Sequence, residues 1–167
     1  MLRLRPYKEI DGIHIMEWVD NEYVSAKWCG NNLSFPLTEK TLSDYKCFYD
    51  NDENGWIFTA IDQLGKQIGH ILMKKADYAN ESVHLGHIII DSKQRGKGYG
   101  KEIVKLSVKY AFELLRVKKV TLRVFDNNEI AYNCYKSVGF VQESYHREIF
   151  TYKNEKWGSY FMSISRE

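Results

Sequence analysis

The stretch from Val83 to Gly100 constrains this chain most. A β-type run closes on Ile88-Ile89-Ile90, passes into a loop with glycines at alternate positions, and leads at once into a long amphipathic helix. Consecutive isoleucines offer no polar face to water, so the run belongs in the centre of a sheet. The loop Gln94-Arg95-Gly96-Lys97-Gly98-Tyr99-Gly100-Lys101 can turn tightly and aim successive N–H groups at one point. The helix behind it, predicted to run to about Val117, carries the stripe Ile103, Val104, Val108, Ala111, Phe112 and Leu115. Its start adds unpaired N–H groups and the positive end of the helix dipole. A phosphate or pyrophosphate is the natural ligand for such a junction; a glycine-rich turn with no ligand is the plainer alternative. Lys97, Lys101, Lys105 and Lys109 form a basic row, of which the first two are in reach of a phosphate and the last two read as solvent face.

Two familiar phosphate loops fail here. Counted from Gly96, the third glycine of Gly-x-Gly-x-x-Gly falls on Lys101, and no third glycine follows Gly98 and Gly100. A Gly-x-x-x-x-Gly-Lys-Ser/Thr loop would need glycine at Arg95 and a hydroxyl residue at Glu102.

The rest of the chain alternates strands and helices. Leu2–Arg5 reads as a strand ended by Pro6, residues about 9–28 as a helix broken at Asn31-Asn32, and Thr38 as the cap of a second helix reaching Tyr49. Strands follow at Trp56–Ile61, Gln67–Lys74 and Val83–Ile90, joined by turns at Asp52–Gly55 and Asp62–Lys66. After the long helix come a strand at Lys119–Phe125 and a helix at Asn128–Val138 capped by Gly139. Strands at Phe140–Thr151 and Trp157–Ser165 finish the chain. The order implies one domain over residues 1–167, α/β of the α+β type, with a mixed, mostly antiparallel sheet of about seven strands and about four helices.

Several function classes fall away. No apolar run approaches the roughly 18 residues of a membrane span, and the N-terminus lacks a signal peptide's apolar stretch. Cys29, Cys47 and Cys134 are odd in number and far apart, which suits neither a disulfide framework nor a metal site, so a cytoplasmic protein without metal is expected. A net charge of +2 is too small to indicate nucleic acid. Its distribution is uneven: residues 1–55 hold six Lys/Arg against ten Asp/Glu, and the remainder is basic. The two parts can meet different ligands, although solvated surface charge explains the pattern equally well.

Two motifs in register sharpen the reading. Arg95-x-x-Gly98-x-Gly100, after an apolar strand and before a long helix, resembles the acyl-CoA loop of GNAT acetyltransferases. Asn128-x-x-Ala131-x-x-x-Tyr135-x-x-x-Gly139-Phe140 is similar to the superfamily's other signature, on the helix beside the CoA arm. Glu17-Trp18-Val19 and Ala26-Lys27-Trp28 are also similar to the branch containing ribosomal-protein, polyamine and aminoglycoside acetyltransferases.

The resemblance implies a GNAT fold splayed at the acyl-CoA slot and acetyl transfer from acetyl-CoA to a primary amine, by direct attack in a ternary complex. It implies that the N–H groups of Arg95, Gly96, Lys97, Gly98, Tyr99, Gly100 and Lys101 hold the pyrophosphate. Ile88, Ile89 and Ile90 would line the pantetheine arm, with the backbone of Ile88 and Ile90 pairing with it. Asn128 would bond that arm or cap its own helix. Tyr135 becomes the candidate general acid for the departing thiolate, since a phenol is protonated at neutral pH; the alternative is a packed aromatic. Relatives often place a glutamate base two residues before a glycine on the strand ahead of the loop. Here His84 stands before Gly86, with Glu81 as runner-up and His87 expected on the sheet's other face. The acids Asp11, Glu17, Asp20, Glu22, Asp44, Asp50, Asp52 and Glu53, with Trp18, Trp28 and Tyr45 among them, suit a cationic amine acceptor. A monomer or homodimer is expected, with neither membrane nor nucleic acid as partner. The competing class is an acyl-CoA-binding module that has lost its chemistry.

Overall fold

The computed structural model describes residues 1–166. Seven strands form one sheet: β1 (Arg3–Pro6), β2 (Trp56–Ile61), β3 (Gln67–Asp77), β4 (Ser82–Ile90), β5 (Lys119–Phe125), β6 (Val141–Tyr152) and β7 (Glu155–Ser165). Their order across the sheet is β1-β2-β3-β4-β5-β7-β6. All neighbours are antiparallel except β4 and β5. That parallel pair needs a crossover, and the long helix after the glycine loop supplies it.

Five helices cover the two faces: α1 (Gly12–Trp18), α2 (Glu22–Cys29), α3 (Glu39–Asp50), α4 (Tyr99–Glu113) and α5 (Glu129–Val138). The first predicted helix is two. Asn21, in extended conformation, accepts a hydrogen bond from the Val24 N–H through its side chain at 2.9 Å and starts α2 afresh. Thr38 caps α3 in the same manner. The fourth helix stops at Glu113, short of the expected Val117, and Arg116 takes a positive φ in the connection to β5.

The sheet separates two apolar clusters. α4 and α5 pack on one face, where Ile103, Val104 and Ala111 meet Ile71, Met73, Val83, Leu85, Val120, Leu122 and Met162. α1, α2 and α3 close the other face with Ile15, Trp18, Trp28, Leu42 and Tyr45 over Ile57, Leu72 and Ile89. At the edge of this second cluster the buried Asp11 accepts from Arg5 at 2.7 and 2.8 Å, from the Lys8 N–H at 2.8 Å and from the Thr59 hydroxyl at 2.8 Å. Burial alone would raise its carboxyl, but these donors outweigh it and hold the group at about 2. No helix of the described residues is long and apolar enough to cross a membrane, and no cluster of His, Cys, Asp and Glu among them suits a metal ion.

Candidate active site

The parallel seam between β4 and β5 is closed only at one end. Ser82, Val83, His84 and Leu85 pair with Lys119, Val120, Thr121 and Leu122, and there the register stops. Beyond it β4 stays bound to β3 as far as Ile90, and β5 stays bound to β7 as far as Phe125. Each strand keeps its outer neighbour while the seam opens, so the inner backbone edge of Gly86–Ile90 is free for an extended ligand.

A bulge lies at the opening. Opposite β3 the register passes from Leu72↔Gly86 to His70↔Ile89, which places one extra residue in β4. His87 carries it, with a φ of +47°. A non-glycine residue in this region stores roughly 1–3 kcal/mol, a cost most often met at functional sites. The extra residue also reverses the alternation of the strand. Val83 and Leu85 face the α4 side, as do Ile88 and Ile90 after the bulge, whereas Ile89 joins the second cluster. His87 therefore does not turn to the opposite face from His84 as expected; it packs under Trp28 and Tyr45, with ring centroids 5.3 and 5.7 Å away.

The glycine loop sits at the open end of β4. Gly96 and Gly98 have φ of +77° and +80°, and a Cβ at either would meet nothing within 4 Å. Gly98 is the N-cap of α4 and contributes no side-chain cap. The N–H groups of residues 96 to 101 donate to no described residue, and the first bond of the helix runs from Glu102 N to Gly98 O. Arg95 and Lys97 are exposed around this cradle, and Lys101 is half-buried on the first turn of α4. An open ring of unpaired donors at a helix N-terminus fits a pyrophosphate in shape and charge. Gly100 lies between Ile90 and Cys134, so the loop touches both β4 and α5.

The other sequence-derived residues are spread along the seam. Tyr135 on α5 is buried beside Phe140, its hydroxyl bonds no described residue, and burial raises its pKa further above the phenol range. Asn128 caps α5 by accepting from the Ala131 N–H at 3.4 Å. His84 stands at the last closed rungs of the seam: its Nδ1 lies 2.8 Å from the Thr121 hydroxyl and its ring stacks on Phe161. Burial, then Lys74, Lys75 and Arg123, push its pKa down to about 4. Glu81 is not brought to the opening. It lies on the turn before β4, with φ of +50°, and pairs with Lys118 at 2.7 Å.

On the second face a cleft of about 550 Å³ runs between α3 and β4, lined among others by Asn32, Tyr45, Tyr49, Lys74 and His87. His70 and His87 approach the Tyr45 hydroxyl from two sides, at 3.0 and 3.1 Å. This trio escaped sequence reasoning. Its one signal is a histidine inside the otherwise apolar run Ile68–Met73, a buried polar group that must find a partner.

Comparison with known proteins agrees with this geometry. Over 105 residues the chain is 30% identical to the spermidine N(1)-acetyltransferase of Vibrio cholerae, covering 63% of this chain and 59% of that protein. It is 23% identical over 155 residues to an N-acetyltransferase 9-like protein of Caenorhabditis elegans, covering 85% and 76%. Its fold superposes on the crystal structure of Vibrio cholerae spermidine N-acetyltransferase in complex with CoA and spermine with a TM-score of 0.87 at 24% identity, covering 98% and 95%. The model of the Acetyltransferase (GNAT) family matches residues 14–140, and the chain belongs to that family.

Proposed function

We propose that the chain transfers an acetyl group from acetyl-CoA to a primary amine of a small cationic molecule, a polyamine being the class the site suits best. The observation that carries this reading is the opened β4–β5 seam, which ends against a loop of unpaired backbone donors. The cradle at residues 95–101 holds the pyrophosphate, and the free edge of Ile88–Ile90 takes the pantetheine arm as another strand. Acetyl-CoA supplies an activated thioester. The chain supplies alignment, exclusion of water by the two walls of the seam, and proton management. Tyr135 enters with its proton in place, because burial raises its pKa, and gives it to the departing sulfur, while the N–H that the attacking nitrogen loses on becoming the amide restores the phenol. Asn128 shapes the wall by starting α5 where it does.

The acceptor assignment draws on the acidic, aromatic first third of the chain. It draws also on relatives named for spermidine or spermine acetylation, among them a Bacillus subtilis enzyme 36% identical over 64 residues, 38% of this chain and 42% of that protein. The free cysteines Cys29, Cys47 and Cys134 suit the reducing cytoplasm. Thermal melting with acetyl-CoA, CoA and NAD tests the donor site: the first two raise the midpoint and NAD leaves it unchanged. Release of free thiol with spermidine, spermine and an uncharged amine then tests the acceptor. A chain that binds no CoA ligand refutes the donor site. One that acetylates only the uncharged amine refutes the acceptor class.

A further inference from the structure

Attack on a thioester needs a neutral amine, and a lysine-like amine with pKa about 10.4 is almost wholly protonated at pH 7. The reaction as a whole releases one proton, that of the ammonium. Neither His84 nor Glu81 is among the residues lining the cleft between α3 and β4, whereas His87 is. His87 also sits on the bulge where the seam opens, so it belongs to the cleft and to the seam at once. Its Nε2 faces the Asn32 side-chain nitrogen at a loose 3.3 Å, and its Nδ1 faces the Tyr45 hydroxyl, which in turn meets His70 Nε2. His70 Nδ1 closes the line, sealed from solvent and without a partner. With Asn32 donating to His87 Nε2, the polarity follows: His87 Nδ1–H donates to Tyr45, Tyr45 O–H donates to His70 Nε2, and the lone pair at the cleft end belongs to His87 Nε2.

We propose that His87 Nε2 takes the proton of the acceptor ammonium, with Tyr45 and His70 as positioning residues that fix its tautomer and hold its lone pair toward the cleft. This rests on the acetyl-transfer reading above. The ammonium N–H bond breaks and a bond to His87 Nε2 forms, as an amine N–H replaces the weak Asn32 contact. One positive charge thereby passes from the amine to His87 at the cleft end, and the proton leaves to solvent through the open cleft. Burial holds both imidazoles down, to about 3, so the lone pair is present throughout the physiological range, and the uphill transfer is drawn forward as the freed amine attacks the thioester. The groups around the line are Lys74 from β3 and His84 from β4, which lower the proton affinity of His87. Tyr49 and Asp44 face it from α3 and Cys29 from α2. Tyr7, Arg5 and Asp11 stand at the His70 end, where the Asp11 carboxylate favours the cation.

The test is the pH dependence of kcat with saturating spermidine and acetyl-CoA, for wild type, His87→Gln, Tyr45→Phe and His84→Gln, with acetyl-CoA affinity measured by calorimetry in each. Wild type gives a flat profile from about pH 5 to 9, because the acceptor lone pair is already free. His87→Gln loses roughly 10²-fold or more at pH 7, binds acetyl-CoA normally, and gains about tenfold per pH unit toward the pKa of the amine. Tyr45→Phe keeps the ring packing and removes the hydroxyl that fixes the His87 tautomer, so it lowers kcat with KM unchanged. His84→Gln stays flat. A His87→Gln enzyme with the wild-type rate and profile overturns the assignment, as does a His84→Gln enzyme that acquires the slope instead. A wild-type chain that binds acetyl-CoA and acetylates no amine overturns the transfer reading itself, a failure distinct from either.

Discussion

Replacing Tyr135 by phenylalanine separates catalysis from packing. The ring is buried, 8% exposed, and meets Phe140 with centroids 6.2 Å apart, contacts that phenylalanine keeps. The hydroxyl bonds no described residue, so its removal orphans no partner and stability shifts by no more than about 0.5 kcal/mol, roughly 1–2 °C in melting temperature. If the phenol protonates the departing thiolate, kcat falls roughly 10²–10⁴-fold, about 2.7–5.5 kcal/mol in the barrier. Acetyl-CoA affinity stays at its wild-type value, because the loop proposed to hold the pyrophosphate lies on another element. The wild-type enzyme shows no alkaline decline near pH 10, since burial raises the phenol and a raised acid keeps its proton longer. Thiol release at saturating acetyl-CoA, with calorimetry and melting on the same samples, measures all three quantities. A variant within about twofold of wild-type kcat makes Tyr135 a packing residue, and a parallel loss of affinity makes it a binding one.

Gly98→Glu puts bulk and negative charge into the open cradle and imposes a side chain on a φ of +80°, so binding of acetyl-CoA and CoA is abolished in calorimetry while the fold melts cooperatively. Asn128→Ala removes the cap of α5 and lowers stability by about 1 kcal/mol in urea unfolding. Asp11→Asn leaves Arg5 without its buried partner and costs on the order of 3 kcal/mol. In wild type the depressed Asp11 carboxyl contributes stability that is fully present above its unfolded pKa near 4. That contribution is lost as pH falls through about 2, and an acid titration of the melting temperature in wild type and Asp11→Asn isolates it.

The elements around the proposed donor site were legible because their signals are local. An apolar strand, glycines whose positive φ no other residue adopts cheaply, and a periodic helix stand next to one another in the chain, and each constrains the next. Asn128 and Gly139 likewise mark the two ends of α5 in sequence and in space. The acceptor half was not legible, for two reasons. Ile88-Ile89-Ile90 reads equally well in either alternation, since an isoleucine fits both faces of a buried sheet, so nothing in the run announced the bulge that swings His87 round. The Tyr45 hydroxyl meets His70 and His87 across gaps of 25 and 42 residues, and no periodic pattern encodes such a meeting. The break between α1 and α2 had a visible cue in Asn21, a capping residue, but the apolar spacing on either side of it masked the stop.

The sheet that parts the two apolar clusters also parts the evolutionary demands on this chain. The loop and wall proposed for the donor rest on α4, α5 and one cluster; the cleft proposed for the amine lies beside α3 and the other. Substitutions on opposite faces share few partners, so their effects on stability add rather than compound. Selection can then retune the proposed amine cleft through the second cluster while the proposed donor site stays constant. One scaffold becomes a family of enzymes with a common currency and divergent tastes.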